Sequence, residues 1–75
     1  MVTLEKIKDN LIKAIEQSNL SQSEIARRIG VQPQTVYNYL KGNVLPSLEK
    51  LANLCAVLGV NANEILCVRN NKTLS

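Results

Sequence analysis

The sequence contains no histidine, no tryptophan and no phenylalanine, and it has only two tyrosines and two cysteines in 75 residues. Without histidine, the chain lacks the commonest general base and the commonest ligand of transition metals. Cys55 and Cys67 stand apart without a second cysteine pair, so they form neither a CxxC motif nor a zinc quartet. The six carboxylates are scattered along the chain. We therefore expect no enzyme, no metal site and no cofactor.

Long hydrophobic runs are also missing. The longest apolar stretch, residues 54–60, is too short to cross a bilayer and contains Gly59. The amino terminus interleaves charged with apolar residues, unlike a signal peptide. Two cysteines are too few for a small secreted scaffold, and Cys55, inside an apolar run, is expected to be a buried small hydrophobe. These absences predict a cytoplasmic protein with no membrane segment.

The composition is that of one small globular domain. Of the 75 residues, 45% are hydrophobic and 20% are charged, which is typical of a soluble globule. We expect a single domain over residues 1–68 and a flexible tail over residues 69–75, which are polar and lack periodicity. The net charge of +3 mildly favours an anionic partner.

Glycines and capping residues divide the chain into helices. Each of the three glycines follows a stretch with helical periodicity, where a left-handed residue ends a helix without steric cost. Ser21 with Glu24, and Asn61 with Glu64, have the spacing of capping boxes, and Thr3 and Ser47 are further candidate caps. These signals predict an all-α, compact five-helix bundle, with helices over residues 4–18, 22–29, 33–40, 48–58 and 62–67.

Apolar residues at helical spacing predict the faces that the helices bury. The first helix contributes Leu4, Ile7, Leu11, Ala14 and Ile15, and the second contributes Ile25, Ala26 and Ile29. The remaining three contribute Val36 and Leu40, then Leu48, Leu51, Cys55 and Leu58, then Ile65.

The second and third helices form the most informative segment, residues 22–41. Two helices of about eight residues joined by a short turn at Gly30 cannot bury their faces separately, so they must pack on each other. Ala26 supplies the small residue that their crossing needs. This arrangement predicts a helix-turn-helix motif, although any short helical pair in a small bundle needs a similar turn.

The segments SQSEIARRIGVQPQTVYNYLKG and PSLEKLANLCAVLGVNANEIL resemble the lambda repressor and Cro-like helix-turn-helix family. The resemblance covers nearly all of residues 21–66. It implies a five-helix DNA-binding domain of a regulator whose third helix enters the major groove. Cys55 and Ala62 depart from the residues most frequent in the family, and neither is a DNA-binding position.

Polar, uncharged residues mark the outer side of the third helix. With Val36 and Leu40 turned inward, Gln34, Thr35 and Asn38 face outward. Amides suit base edges because their donor and acceptor can bind adenine together, and a threonine methyl can contact thymine. Together with Gln32 and Pro33 at the start of the helix, these three form the predicted base-contacting set. A merely solvated face is the alternative, although such a face more usually carries Lys and Glu.

Phosphate contacts are expected around this face. Gln22 stands beside the free N–H groups of the second helix, as in the family, and its amide is a candidate partner of Gln34. Lys41 and Asn43 follow the third helix, where family members commonly contact the backbone. Arg28 completes the predicted set, although an arginine there is equally explained by the helix dipole. The tyrosines are expected to pack partly into the core and receive no DNA-binding role.

These features predict a sequence-specific regulator of transcription that binds a near-palindromic, double-stranded DNA operator, most simply a repressor. One module buries too little surface for strong discrimination, so a homodimer is expected. We expect it to pair near Leu66 and Val68, unless Leu66 closes the base of its own monomer. The alternative function is an antitoxin, or another module of this fold that holds a protein antagonist or toxin.

Overall fold

The computed structural model describes residues 2–68, which contain five α-helices and no strand within that range. The helices are α1 (Leu4–Gln17), α2 (Gln22–Ile29), α3 (Pro33–Lys41), α4 (Leu48–Leu58) and α5 (Ala62–Leu66). Every helix begins and ends within about one residue of the bounds expected from local sequence signals. The predicted all-α, five-helix class is therefore confirmed, whereas the tail predicted over residues 69–75 lies outside the described residues.

Side-chain caps begin four of the helices as predicted, on Thr3, Ser21, Ser47 and Asn61. The reciprocal half of the two capping boxes was predicted wrongly. The carboxylate of Glu24 binds Arg27 and Arg28 instead of the backbone, because charged donors compete well for it. At α5 the Asn61 side chain accepts from the N–H of Asn63, not from that of Glu64.

The core lies where the helices converge. Helix α2 packs against α3 and α4, while α1 packs against α3 and α5, and α4 also contacts α5. The buried apolar residues are Leu11, Ile15, Ile25, Ala26, Ile29, Val36, Tyr39, Leu51, Leu54, Cys55 and Ile65. Helices α1, α4 and α5 thus support the α2–α3 pair from one side.

The buried faces of α1 and α4 differ from the prediction at their first turns. Leu4 is 63% exposed and Leu48 is 83% exposed, although both were predicted to be buried. They flank an apolar groove of about 180 Å³ rather than entering the core. Leu54, which the predicted face omitted, is completely buried. The face of α4 is wider than one stripe because α4 packs on both α2 and α5.

A single amide links the first helix to the last. The Nδ2 of Asn10 donates to the carbonyl oxygens of Glu64 and Ile65 at 3.2 and 3.1 Å, and it lies 3.1 Å from the Sγ of Cys67. Cys67 ends α5 with a positive φ of 62°, and its own N–H bonds the Asn63 carbonyl. Asn10 thereby gives hydrogen-bond partners to carbonyl groups at the carboxy-terminal end of α5, which have none within a helix of five residues.

Candidate nucleic-acid interface

The turn between α2 and α3 sets the direction of α3. Gly30 ends α2 with a φ of 77°, a conformation that favours glycine because a Cβ would strain it. The N–H groups of Gly30 and Val31 both bond the Ala26 carbonyl, at 2.9 and 3.0 Å. Gln32 is extended and Pro33 opens α3 in its first position, where its missing N–H costs nothing. The chain therefore turns within the three residues 30–32, and α3 packs against α2.

Close packing holds the two helices together. Ala26 is 1% exposed, and Ile25 and Val36 are completely buried, so a larger residue at the crossing would push the helices apart. From α4, the ammonium of Lys50 donates to the Ile29 carbonyl at 3.2 Å. This hydrogen bond fixes the last turn of α2 immediately before Gly30. The inner side of α3 thus packs into the core, whereas its outer side is exposed in the part of the chain that the structure describes.

The outer side of α3 brings Gln34, Asn38 and Lys41 onto one face. Gln34 and Lys41 are exposed and Asn38 is half-buried. The Nε2 of Gln34 lies 3.5 Å from the Oδ1 of Asn38, at the long limit of a hydrogen bond. Thr35 is half-buried at the edge of this face, where its N–H bonds the Gln32 carbonyl at 2.9 Å. The central group of predicted base-contacting residues is therefore contiguous.

Tyr37 also belongs to this outer face, which sequence reasoning missed. Its side chain is 40% exposed, whereas Tyr39 is only 5% exposed and packs in the core. The ammonium of Lys41 lies over the Tyr37 ring, 5.4 Å from its centroid. On a wheel of 100° per residue, Tyr37 lies about 40° from Lys41 and about 60° from Gln34, and this position was the signal that the sequence offered.

Two more of the predicted phosphate-contacting residues, Gln22 and Asn43, are uncharged and exposed. Gln22 is exposed in the first turn of α2, where helix N–H groups have no acceptor within the helix. Asn43 is exposed after the end of α3, and its N–H bonds the Asn38 carbonyl at 3.0 Å. Between the described residues, no hydrogen bond joins Gln22 to Gln34, whose amide contacts Asn38 instead.

Arg28 is engaged within α2. Its Nε donates to the Oε2 of Glu24 at 2.6 Å, and the Nη2 of Arg27 approaches the same oxygen at 2.5 Å. Hydrogen bonds from Arg27 and then Arg28 lower the pKa of Glu24 to about 2. One carboxylate thus neutralises part of the charge of two arginines. Arg28 keeps a half-exposed guanidinium beside the turn.

The described part of the chain has few other groups that could bind a metal or react. Within residues 2–68, no three cysteine, aspartate or glutamate side chains come together as metal ligands. Cys55 is buried as predicted, and burial raises the pKa of its thiol. In the same range, no helix is both long enough and apolar enough to cross a membrane.

Comparison with known proteins identifies a matching family and a similar solved structure. Residues 11–65 match the model of the helix-turn-helix family, a range that includes α2, α3 and their turn. The fold is also similar to the solution structure of the SOS-response transcriptional repressor LexA from Eubacterium rectale, with 30% sequence identity and a TM-score of 0.74. That similarity covers 96% of this chain and 73% of the other. No curated protein matches the chain.

Proposed function

The chain belongs to the helix-turn-helix family, as its resemblance to the lambda repressor and Cro-like proteins predicted, and from this premise we propose that it binds duplex DNA sequence-specifically as a transcriptional repressor. The observation that carries the proposal is the outer face of α3. This face is exposed, contiguous and rich in amides, and α3 contains no acidic residue. An operator-binding role also implies a cytoplasmic location.

The outer face of α3 enters the major groove in this proposal. Gln34 and Asn38 offer paired donors and acceptors to base edges, and their amides lie 3.5 Å apart on the same side of α3. Gln32, Pro33 and Thr35 contact bases from the amino end of α3, which leads into the groove in helix-turn-helix proteins. No metal or cofactor is needed for this recognition.

The residues around the face contact the phosphate backbone. Gln22 and the first N–H groups of α2 bind one phosphate, because a helix N-terminus attracts anions. Lys41 and Asn43 bind the backbone at the other end of α3. Arg28 joins them when a phosphate competes with Glu24 for its guanidinium. The net charge of +3 favours the approach to DNA.

A homodimer on a near-palindrome completes the proposal. A single module buries only about 600–1,000 Å² against DNA, and a second copy on the adjacent half-site, about 34 Å away, adds discrimination. Val68 is 54% exposed and Leu66 is half-buried, which supports pairing through the carboxy-terminal side. Leu66 also packs against the monomer core, so Val68 is the cleaner position for a test.

Selection of bound duplexes from a randomised DNA pool tests the function. We expect one sequence to be enriched, with two-fold symmetry. Gln34→Ala should then weaken binding to the selected duplex by about 1–3 kcal/mol and leave binding to random duplex nearly unchanged, since only base contacts discriminate. Asn53→Ala is the matched control, because it removes an exposed amide from α4. Recovery of no enriched sequence, or equal losses on both duplexes for Gln34→Ala, would contradict the proposal.

Sedimentation tests the dimer separately. Val68→Glu should give a folded monomer that protects a single half-site weakly, because a charge cannot be buried without a partner. Ala56→Glu adds the same charge at an exposed position of α4 and should leave the dimer intact. A dimeric Val68→Glu variant would place the interface elsewhere.

A further inference from the structure

Tyr37 is an aromatic residue that the core does not use. The chain has only two tyrosines and no other aromatic side chain, and the two differ sharply in exposure, 40% for Tyr37 and 5% for Tyr39. Tyr37 lies beside polar residues of the candidate interface, because Lys41 and Asn38 follow it on the outer side of α3.

The ring of Tyr37 lies beneath a positive charge. The Nζ of Lys41 lies 5.4 Å from the ring centroid, within the distance of about 6 Å that is typical of cation–π attraction. The two residues are four positions apart on one helix, so their side chains are neighbours. A free lysine side chain samples many rotamers, and contact with the ring reduces the entropy that it loses on binding.

No carboxylate competes for this ammonium within the described residues. The ion pairs found there use Glu5 and Glu24, which lie on α1 and α2, and α3 itself has no acidic residue. Lys41 therefore differs from Arg28, whose guanidinium is engaged with Glu24. The phenol O–H of Tyr37 adds a neutral hydrogen-bond donor next to a positively charged one. An ammonium and a hydroxyl on one helix face are complementary to the oxygens of a phosphate diester.

We propose that Tyr37 and Lys41 form one phosphate-binding unit at the carboxy-terminal end of α3. The ring positions the ammonium of Lys41 at one phosphate, and the phenol O–H donates to a phosphate oxygen of the DNA strand that the ammonium contacts. Tyr37 thereby acts both as a positioning residue for Lys41 and as a direct contact. This inference rests on the proposed DNA-binding function and adds to it a residue without a predicted role. Because phosphates carry no sequence information, the unit anchors the protein equally on operator and random DNA.

Fluorescence anisotropy with a labelled random duplex, repeated at several salt concentrations, tests the unit. Tyr37→Leu should weaken binding about tenfold, through loss of both the ring and the hydroxyl. Tyr37→Phe keeps the ring over Lys41 and should lose only the part due to the hydroxyl, with an unchanged salt dependence. Lys41→Met should reduce the slope of log K against log salt by about 0.9 for each protomer bound. Asn53→Ala serves again as the control that changes neither quantity.

The double variant Tyr37→Leu with Lys41→Met isolates the cooperation between the two residues. We expect its loss of affinity to be smaller than the product of the two single losses, because removing either residue already disables part of the unit.

Full affinity of Tyr37→Leu for random duplex would overturn the inference, and so would a loss confined to the selected operator, which would make Tyr37 a base-contacting residue. If the unchanged protein failed to bind any duplex, both this inference and the proposed function would be wrong. Wild-type binding with an unaffected Tyr37→Leu variant would overturn this inference alone.

Discussion

Glu24 shows how one side chain affects both stability and charge near the candidate interface. Its carboxylate was predicted to cap α2 reciprocally, yet it binds two guanidinium groups instead. These hydrogen bonds lower its pKa from 4.5 to about 2. Because the two guanidinium groups are exposed and the carboxylate is only half-buried, solvent and salt screen the interaction, so its contribution to folding is small but pH-dependent.

The lowered pKa predicts the direction of this dependence. Between about pH 5 and pH 2 the unfolded chain binds a proton at Glu24 that the folded chain does not, so the stabilisation is fully present above pH 4.5 and is lost as the pH falls through about 2. Glu24→Gln should therefore show a flatter fall of Tm with acid in this window than the wild type does. Glu16→Gln, at an exposed glutamate of α1, should retain the wild-type profile. Identical profiles for both variants would show that the ion pairs do not form in solution.

The two cysteines differ in burial, and their reactivity should differ accordingly. Cys55 is 7% exposed and burial raises the pKa of its thiol, which lowers the fraction of reactive thiolate. Cys67 is half-buried at the end of α5. We expect a thiol reagent at pH 8 to modify Cys67 first and to modify Cys55 only in denaturant. Mass spectrometry after cleavage at glutamates measures this, because Glu64 separates the two cysteines. Equal rates for the two thiols in the native protein would contradict the fold.

The helices themselves could be predicted from the sequence because their signals are local. Capping side chains, a proline in the first turn and a left-handed glycine act within a few residues, so all five helices were placed to within about one residue. The burial of α4 could not be predicted as well. A single stripe through Leu48 and Leu51 omits Leu54, and only the packing of α4 against two neighbours shows that its buried face is wider.

The candidate site could also be predicted only in part, because exposure depends on how the helices pack. The polar residues of α3 could be identified from residue type and periodicity, and the structure brings Gln34, Asn38 and Lys41 onto one face. The two tyrosines were given the same role from the sequence, since both flank the apolar stripe of α3. Their different exposure follows from how α1 and α2 pack against α3, which buries Tyr39 and leaves Tyr37 40% exposed.

Helix α4 offers a matched pair of leucines that tests its orientation. Leu54→Ala should lower the free energy of unfolding by about 2–5 kcal/mol, because Leu54 is completely buried and its loss leaves a cavity. Leu48→Ala, the same substitution at a residue that is 83% exposed, should change it by less than about 0.5 kcal/mol. Denaturant titration measures both values. Equal losses, or a larger loss for Leu48→Ala, would show that α4 is rotated about its axis.

At the scale of the whole molecule, three helices support the structure and the other two form the candidate interface. Helices α1, α4 and α5 support α2 and α3 from behind, and contacts such as that of Lys50 with the Ile29 carbonyl hold the turn. On the outer side of α3, Gln34, Tyr37 and Lys41 are exposed within the described part of the chain, with Tyr37 and Lys41 toward its carboxy-terminal end. This arrangement is the one that the proposed binding of α3 to duplex DNA requires.

The salt dependence of duplex binding tests this account most directly. If each dimer neutralises about four to six phosphates through Lys41 and neighbouring groups, log K should fall against log salt with a slope of roughly −4 to −5. The measurement is an anisotropy titration of the protein with its selected duplex at a series of salt concentrations. Lys13→Gln, at an exposed lysine of α1, should leave the slope unchanged, whereas Lys41→Gln should make it less steep. A flat response to salt in the wild type would contradict duplex DNA as the partner of α3.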